Sequence, residues 1–389
     1  ALVVVQVALA VVLVVGAGLL GRSLVALAAV DMGFAPEQVL VLRTAVPIAR
    51  FEEAPRATAF YRDLLPELRA VLGAISVAGV TSLPTAVRSN GRYWVEGGPG
   101  PDELGPRSPQ AIFNVVTPAY FRTMRIPMKA GRDFTEADRR EAPFVTIVNE
   151  ALVRAAFPNE DPIGRWIRCG LDNLEPMTIV GVVADVRTWG PGRPAQAEIY
   201  MPYEQHPGPA SSLALVARTQ SPDPLALAET MRRTIRERNA DVPVRAETME
   251  MTLQTASATP RFRTALLIVF AGVALLLSMA GVYGVMAYTV SQRVPEIGVR
   301  VALGATPRDV LALIVGQGAK LTAAGLVLGV GLALGATRLL QGLLFGVTPR
   351  DPLILGAVTV LVAAAALGAC YVPGRRALRV EPMTALRAE

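Results

Sequence analysis

Residues 291–310 read "SQRVPEIGVRVALGATPRDV". This stretch carries Arg293, Glu296, Arg300, Arg308 and Asp309, yet it lies between two long apolar runs. Before it comes "TALLIVFAGVALLLSMAGVYGVMAYTV" (264–290), and after it a run centred on "LTAAGLVLGVGLALGAT" (321–337). A helix crosses a bilayer core with about 20 apolar residues. Both runs suit that length, so the charged stretch is expected to connect two membrane spans.

At 100° per residue, residues 293–303 form a helix with unlike faces. Val294, Ile297, Gly298, Val301 and Ala302 share one face. Glu296 and Arg300 share the opposite one, spaced i,i+4 with the acid first, which is the favoured order. Val299 and Leu303 border that charged strip, and Gly304 and Ala305 follow. Pro295 is tolerated in a first turn, and Gly304 suits a C-terminal stop. Thr306 is placed to cap the next helix, with Pro307 at its first position and Asp309 in its first turn. The plain reading is an interfacial turn. The functional reading is a docking helix for a cytoplasmic partner, with apolar anchors and charged registration.

Two further runs have span length, 1–21 with only Gln6 polar, and 352–372. The first lacks a basic leader and its apolar core exceeds that of a signal peptide, so it is read as a retained span. The chain does not begin with methionine, which fits a chain cut from, or lacking, a first half. Across 389 residues, 52% are hydrophobic and 18% charged, with the apolar excess in blocks, as in a membrane protein carrying a polar insert. The net charge of +6 includes no dense basic run of the kind that marks nucleic-acid binding.

Arginines set the expected orientation. The 291–309 loop holds three of them, the tail 373–389 holds Arg375, Arg376, Arg379 and Arg387, and the loop 339–351 holds only Arg350. Positive-inside logic puts the first two segments in the cytoplasm and the insert outside. Lys320, at the cytoplasmic edge of the third span, is read as snorkelling rather than as an ion relay, since no acid lies within a span. Gly325/Gly329 and Gly331/Gly335 are small-xxx-small pairs that allow close helix contact, within the chain or between copies. Gly281 and Gly284 offer the same on the second span.

The insert alternates strand and helix signals, as in an α+β module. Strands are expected at 38–47, 75–84, 144–149, 177–187 and 211–220, and "EIYMPYEQ" (198–205) closes the central segment. Helices are expected at 56–73, where Pro66 would kink or bound the helix, at 150–157, and at 223–240, where Leu225, Ala228, Met231 and Ile235 share a face. No catalytic constellation stands out. The acids Asp133, Glu136, Asp138 and Glu141 read as a solvated helix start rather than a metal site, and Asp172 with Asn173 and Glu175 as a turn rather than a calcium loop. His206 lies in a loop-like stretch, and Cys169 and Cys370 are read as two unpaired thiols. Neither Lys129 nor Lys320 follows the glycine pattern of a P-loop. No catalytic residue, cofactor or metal is therefore expected.

The stretch "VSQRVPEIGVRVALGATPRDV" resembles the signature of FtsX-like permeases of the MacB type, in the type VII ABC superfamily. "LLFGVTPRDP" (343–352) and "PGRRALRVEPMTALR" (373–387) continue the likeness. Within the insert, "VTPAYFRTMRIPMKAGRDFTEAD", "VNEALVRAAFPNEDPIGRWI", "IVGVVADVR" and "EIYMPYEQ" resemble the MacB-like periplasmic core. The look-alike subgroup is the duplicated-permease set described as acidobacterial ADOP proteins.

The resemblance implies an α-helical membrane protein of four transmembrane helices, with a large α+β extracytoplasmic domain between helices 1 and 2. On this division 1–30 is span one and its stalk, 31–254 a periplasmic core of two α+β subdomains, and 255–290 a stalk and span two. A coupling helix (291–306), span three (307–338), a short outer loop (339–351), span four (352–372) and a cytoplasmic tail (373–389) follow. The stalks are expected through Arg22–Val30 and Thr255–Arg263.

The implied mechanism relays ATP-driven motion of a separate cytoplasmic ABC ATPase to the periplasmic domain, for export of a toxic compound, peptide or lipoprotein. MacB carries its ATPase on the same chain, whereas no Walker A pattern occurs in this sequence. Glu296, Ile297, Gly298, Val299, Arg300, Leu303, Gly304 and Ala305 would then dock the ATPase, and Arg375, Arg376, Pro382 and Leu386 form the C-terminal motif. Implied partners also include a second copy or a sister permease half paired through spans one and two, membrane lipids, and a periplasmic adaptor. The implied location is the cytoplasmic (inner) membrane. The alternatives are a transmembrane regulator of an envelope hydrolase, as in cell-division relatives, or an orphan permease.

Overall fold

A computed structural model describes residues 2–48, 53–100, 103, 105–256, 258–293, 296, 300, 306–336, 344–348 and 350–377. In chain order the elements are α1 (Leu2–Ala28), β1 (Val39–Thr44), α2 (Ala54–Arg69), β2 (Ala74–Val80), β3 (Asn90–Val95), β4 (Gln110–Val116), α3 (Tyr120–Met124), β5 (Met128–Gly131), β6 (Val145–Asn149) and α4 (Glu150–Ala156). There follow β7 (Trp166–Cys169), β8 (Met177–Val183), β9 (Glu198–Pro202), β10 (Ala214–Thr219), α5 (Ala228–Arg238), β11 (Val244–Thr248), α6 (Met249–Ala256), α7 (Ala258–Gln292), α8 (Pro307–Ala336) and α9 (Pro352–Ala377). They fall into two units, Val30–Ser257 and the helices formed by Ala1–Ala29 with Ala258–Glu389.

In the Val30–Ser257 unit, β11, β1, β10 and β2 lie side by side, each antiparallel to its neighbour. The two βαβ halves, β1–α2–β2 and β10–α5–β11, thus interleave in one sheet, as in a split βαβ module. Both faces are buried. Leu40, Leu42, Val77, Leu215 and Ala217 pack with Tyr61, Leu64, Leu68, Met231 and Ile235 of the two helices. Val39, Val41, Ala78, Val80 and Val216 pack with Phe34, Phe121, Met124 and Met249. Burial on both faces explains why "VLVL" is continuously apolar instead of alternating.

Between β2 and β10 the chain builds a second subdomain. β4, β3, β7, β8, β6 and β9 pair in turn, and β9 returns to β4 in parallel register, Ile112↔Glu198 through Val116↔Pro202. This closed ring leaves its members no free edge. A single pairing, Val80↔Val116, joins it to the first sheet.

Several expectations change here. Pro66 does not end α2, which continues to Arg69. Its missing N–H removes one helical bond, while Leu64, Leu65 and Leu68 around it are all buried. Residues 132–143 are turns, not a helix start. Asp138 there accepts both Arg132 guanidinium hydrogen bonds, at 2.7 and 2.8 Å, and the Thr135 N–H at 2.8 Å. Those bonds fix a loop where acids alone suggested a helical first turn. Leu225 leaves the apolar face of the α5 segment. It sits in a 3-10 turn at Pro224–Leu227 and is 41% exposed, while Ala228, Met231 and Ile235 are buried. The tighter 3-10 winding rotates it off the 100° stripe. Strands β3, β4, β5, β7, β9 and β11 lie where no strand was expected. The stalk residues 22–28 are helical, but α1 stops at Ala28.

Among the described residues, the second unit has four helices long and apolar enough to cross a membrane. Half of the most apolar stretch of α1 is buried, against 17% for α7. α1 touches α7, α8 and α9. Glycines set the α1–α8 approach. A Cβ on Gly325 would lie 2.6 Å from Val7 Cβ, and one on Gly329 would lie 2.7 Å from Val11 Cβ and 2.9 Å from the Ala8 carbonyl. Gly331 and Gly335 have no neighbour within 4 Å of such an added atom. On α7, Gly281 faces the Gln6 side chain, while Gly284 is open. Arg22, near the end of α1, pairs with Asp351, whose other oxygen caps α9 through Leu353 N–H at 3.0 Å. Phe345 N–H donates to Ser23 Oγ at 2.8 Å.

Candidate docking site

The connection between α7 and α8 starts as α7 ends at Gln292, where Arg293 N–H reaches Val290 O at 3.1 Å. Glu296 and Arg300 are both helical, and Arg300 Nη2 donates to Glu296 Oε1 at 2.7 Å. Their side chains keep 47% and 50% of their surface exposed. An exposed i,i+4 pair adds only a few tenths of a kcal/mol to a helix, so its weight as a structural brace is small.

Helix α8 then restarts on a capping box. Asp309 Oδ2 accepts from Thr306 N–H at 2.9 Å and from Thr306 Oγ at 2.6 Å. Satisfying the N-cap amide from the third helical position is the reciprocal half of a capping box. Pro307 occupies the first helical position, where a missing N–H is harmless. Two helix ends and an exposed ion pair therefore sit within residues 291–309. Ile297, Gly298, Val299, Leu303, Gly304 and Ala305 lie outside the described residues. Arg375 is exposed near the end of α9, and Arg376 lies on the same helix. Pro382 and Leu386 lie outside the described residues.

Among the described residues no group of three or more His, Cys, Asp or Glu is placed to hold a metal ion. His206 is buried, with Nδ1 2.7 Å from Asp172 Oδ1 and an edge-on contact to Phe144. Both cysteines are free and buried, and burial pushes the Cys169 thiol up to about 12. A thiol so raised is a packing residue and not a nucleophile. Burial also pushes Asp138 up, but the Arg132 and Thr135 hydrogen bonds outweigh it and hold the carboxyl below its ordinary range.

One buried group escaped the sequence reading. Glu198 opens β9 and is 1% exposed. It accepts from Asn114 Nδ2 at 2.5 Å and from Thr188 Oγ at 3.1 and 3.2 Å, while its own N–H donates to Asn149 Oδ1 at 2.9 Å. Burial raises its pKa to about 7, against the opposing hydrogen bonds from Tyr200, Thr188 and Asn114. The available signal was an acid heading the apolar run "EIYMP". The Arg22–Asp351 pair was likewise visible only as two charges at distant span ends.

Four membrane-length helices and a large α+β domain define a membrane protein of the permease class with a periplasmic-type insert. Residues 1–248 match the MacB-like periplasmic core domain and residues 268–382 match the FtsX-like permease C-terminal domain, so the chain belongs to the FtsX-like, MacB-type ABC permease family. The "Macrolide export ATP-binding/permease protein MacB" of Wolinella succinogenes is 28% identical over 289 residues, 71% of this chain and 43% of that protein. The "Pyoverdine export ATP-binding/permease protein PvdT" of Pseudomonas aeruginosa is 27% identical over 339 residues, 83% of this chain and 49% of that one. The chain thus spans about half or less of the curated relatives it matches. The crystal structure of the periplasmic region of MacB from Actinobacillus actinomycetemcomitans aligns with a TM-score of 0.39 and 16% identity, over 57% of this chain and 94% of that one.

Proposed function

We propose that this chain is the permease part of a MacB-type export system, and that residues 291–309 dock a cytoplasmic ABC ATPase. Motion of that ATPase is relayed through α7 and α8 to the insert, which lies on the outer side of the cytoplasmic membrane. The cargo class is that of the relatives, a small exported compound or peptide. The observation that carries the reading is the exposed Glu296–Arg300 pair between two span-length helices. A pair that contributes little to its own helix is free to register a partner's complementary charges. The arginine balance of the loops supports a cytoplasmic place for this segment.

The test is co-purification of the membrane-embedded protein with its ATPase. Arg300→Glu sets two acids at i,i+4 and reverses the charge offered. The swap Glu296→Arg/Arg300→Glu restores an intrahelical pair in reversed order. If docking reads charge position, both variants lose the ATPase. Retention by Arg300→Glu contradicts the assigned face. Recovery by the swap alone marks the pair as a helix brace.

A further inference from the structure

Within the helical unit an open groove of about 430 Å³ runs between α1, α7 and α9. Its lining is wholly apolar, from Val14 and Gly18 of α1 and Ile268 and Gly272 of α7 to Ile354 and Leu361 of α9. That volume falls in the range of roughly 300–1,000 Å³ that small-molecule sites occupy. Small residues keep it open, and a Cβ added at Gly272 meets nothing within 4 Å among the described residues. The three helices share a polarity. Gln6 of α1 faces Gly281 of α7, whereas the later residues Val14 and Gly18 line the groove with the earlier Ile268 and Gly272, so α1 and α7 are antiparallel. Gly18 lies against Ile354, and Arg22, one turn on, pairs with Asp351, so α1 and α9 are antiparallel too. The end of α1 and the starts of α7 and α9 therefore lie at one end of the bundle. Toward the other end, Gly318 of α8 seats against Met286 of α7 and Cys370 of α9.

Arginines gather where the groove reaches the end of the spans. Arg22 lies one turn beyond Gly18 on the same face of α1. Arg261 lies two turns before Ile268, on the groove stripe of α7. Arg350 directly precedes Asp351, about one turn ahead of Ile354. All three are exposed. The described acids of the helical unit are Glu296, Asp309 and Asp351, and Asp351 alone lies at this end. One of its oxygens pairs with Arg22 and the other caps α9. Arg22 still leaves 47% of its side chain exposed, and a guanidinium carries five donors arranged to grip a phosphate. One carboxylate thus faces three guanidiniums beside an apolar groove. Apolar lining alone names no occupant, but a surplus of cations at one end complements an anionic amphiphile, as in the basic pockets between spans that hold anionic headgroups. We propose that the groove binds an anionic phospholipid, with an acyl chain along Gly18, Ile268, Gly272 and Ile354 and the phosphate among Arg22, Arg261 and Arg350. The lipid comes from the leaflet at that end, the outer one in the orientation proposed above. A chain seated between α7 and α9 would make the packing of these spans sensitive to membrane composition. This inference rests on the reading of the helices as membrane spans.

The test reconstitutes the full chain in vesicles of equal phosphatidylcholine and phosphatidylglycerol, washes them with alkaline carbonate, and extracts the protein in mild detergent for native mass spectrometry. Gly272→Phe fills the groove at a position where an added Cβ has room. Arg261→Gln/Arg350→Gln removes two cations and leaves the Arg22–Asp351 pair in place. The expected result is retention of phosphatidylglycerol several-fold above phosphatidylcholine by the unaltered chain. Gly272→Phe should lower that retention several-fold, and the double glutamine variant should retain both lipids equally. Equal retention by the unaltered chain, or a preference that survives both variants, overturns the site. A two-chain species that Gly272→Phe abolishes while lipid retention stays unchanged marks the groove as a contact between copies and overturns it as well. Release of the chain by the carbonate wash would overturn the span reading itself, whereas an integral chain without the preference overturns the lipid site alone.

Discussion

Leu64 and Leu68 of α2 are fully buried, whereas Leu276 and Leu277 of α7 leave 64% and 60% of their surfaces exposed. In the insert the apolar faces of the sheet and its helices meet in shared cores, because water drives them together. In the helical unit apolar side chains gain little by meeting each other, since acyl chains are equally apolar. Contact there is set by backbone approach at small residues. Gly325 and Gly329 give α8 its seat on α1, while a Cβ added at Gly331 or Gly335 on the same helix meets nothing within 4 Å among the described residues. Hydrophobicity thus decides the fold of one region and only the location of the other.

Leu68→Ala is the largest expected effect. Emptying a fully buried site costs roughly 2–5 kcal/mol. It lowers the urea midpoint of the insert, read by tryptophan fluorescence, because Trp94, Trp166 and Trp189 all lie in that unit. Leu276→Ala, on the lipid side, leaves that signal unchanged.

Glu198 gives a pH-dependent test. Its carboxyl is raised from 4.5 to about 7, so between those values the folded state holds a proton that the unfolded state has lost. Stability of the insert therefore falls as pH rises through that window and levels off above it, by on the order of 3 kcal/mol in total. Glu198→Gln keeps the shape, removes the ionisation and flattens the profile in the same fluorescence assay. A slope that survives in the variant belongs to another group.

Gly329→Leu drives a side chain into Val11 Cβ and the Ala8 backbone. Overpacking of this kind costs about 1–3 kcal/mol. It is read as faster proteolysis or lower thermal stability in detergent, while Gly335→Leu is neutral. Equal effects would erase the distinction between the two glycine pairs. Arg22→Ala is the smallest, below about 1 kcal/mol for a half-exposed ion pair. It should appear as faster hydrogen exchange at Phe345 and the start of α9.

What the sequence revealed follows the same divide. Four spans were legible because a bilayer demands about 20 apolar residues in a row, and the helix restart at Thr306 because capping is local chemistry. The strands flanking buried runs, such as 145–149, were legible too. β3 and β7 were not. "NGRYWV" and "WIRC" owe their strand state to pairing with each other across a long stretch of chain, Tyr93↔Cys169 through Val95↔Ile167, and to the neighbouring strands β4 and β8. The acids at 133–141 misled because the guanidinium that organises them acts through side-chain geometry. Of the docking segment, the ion pair could be read from an i,i+4 spacing. The proposed partner rests on the family likeness, since charge spacing alone names no protein.

The most direct measurement places a photo-crosslinking amino acid at Arg300, with a second variant carrying it at Trp189 of the insert as control, in cells that express the complete system. The account predicts an adduct between position 300 and an ABC ATPase, and none from position 189. No ATPase adduct from position 300, or an equal one from position 189, would contradict the docking assignment.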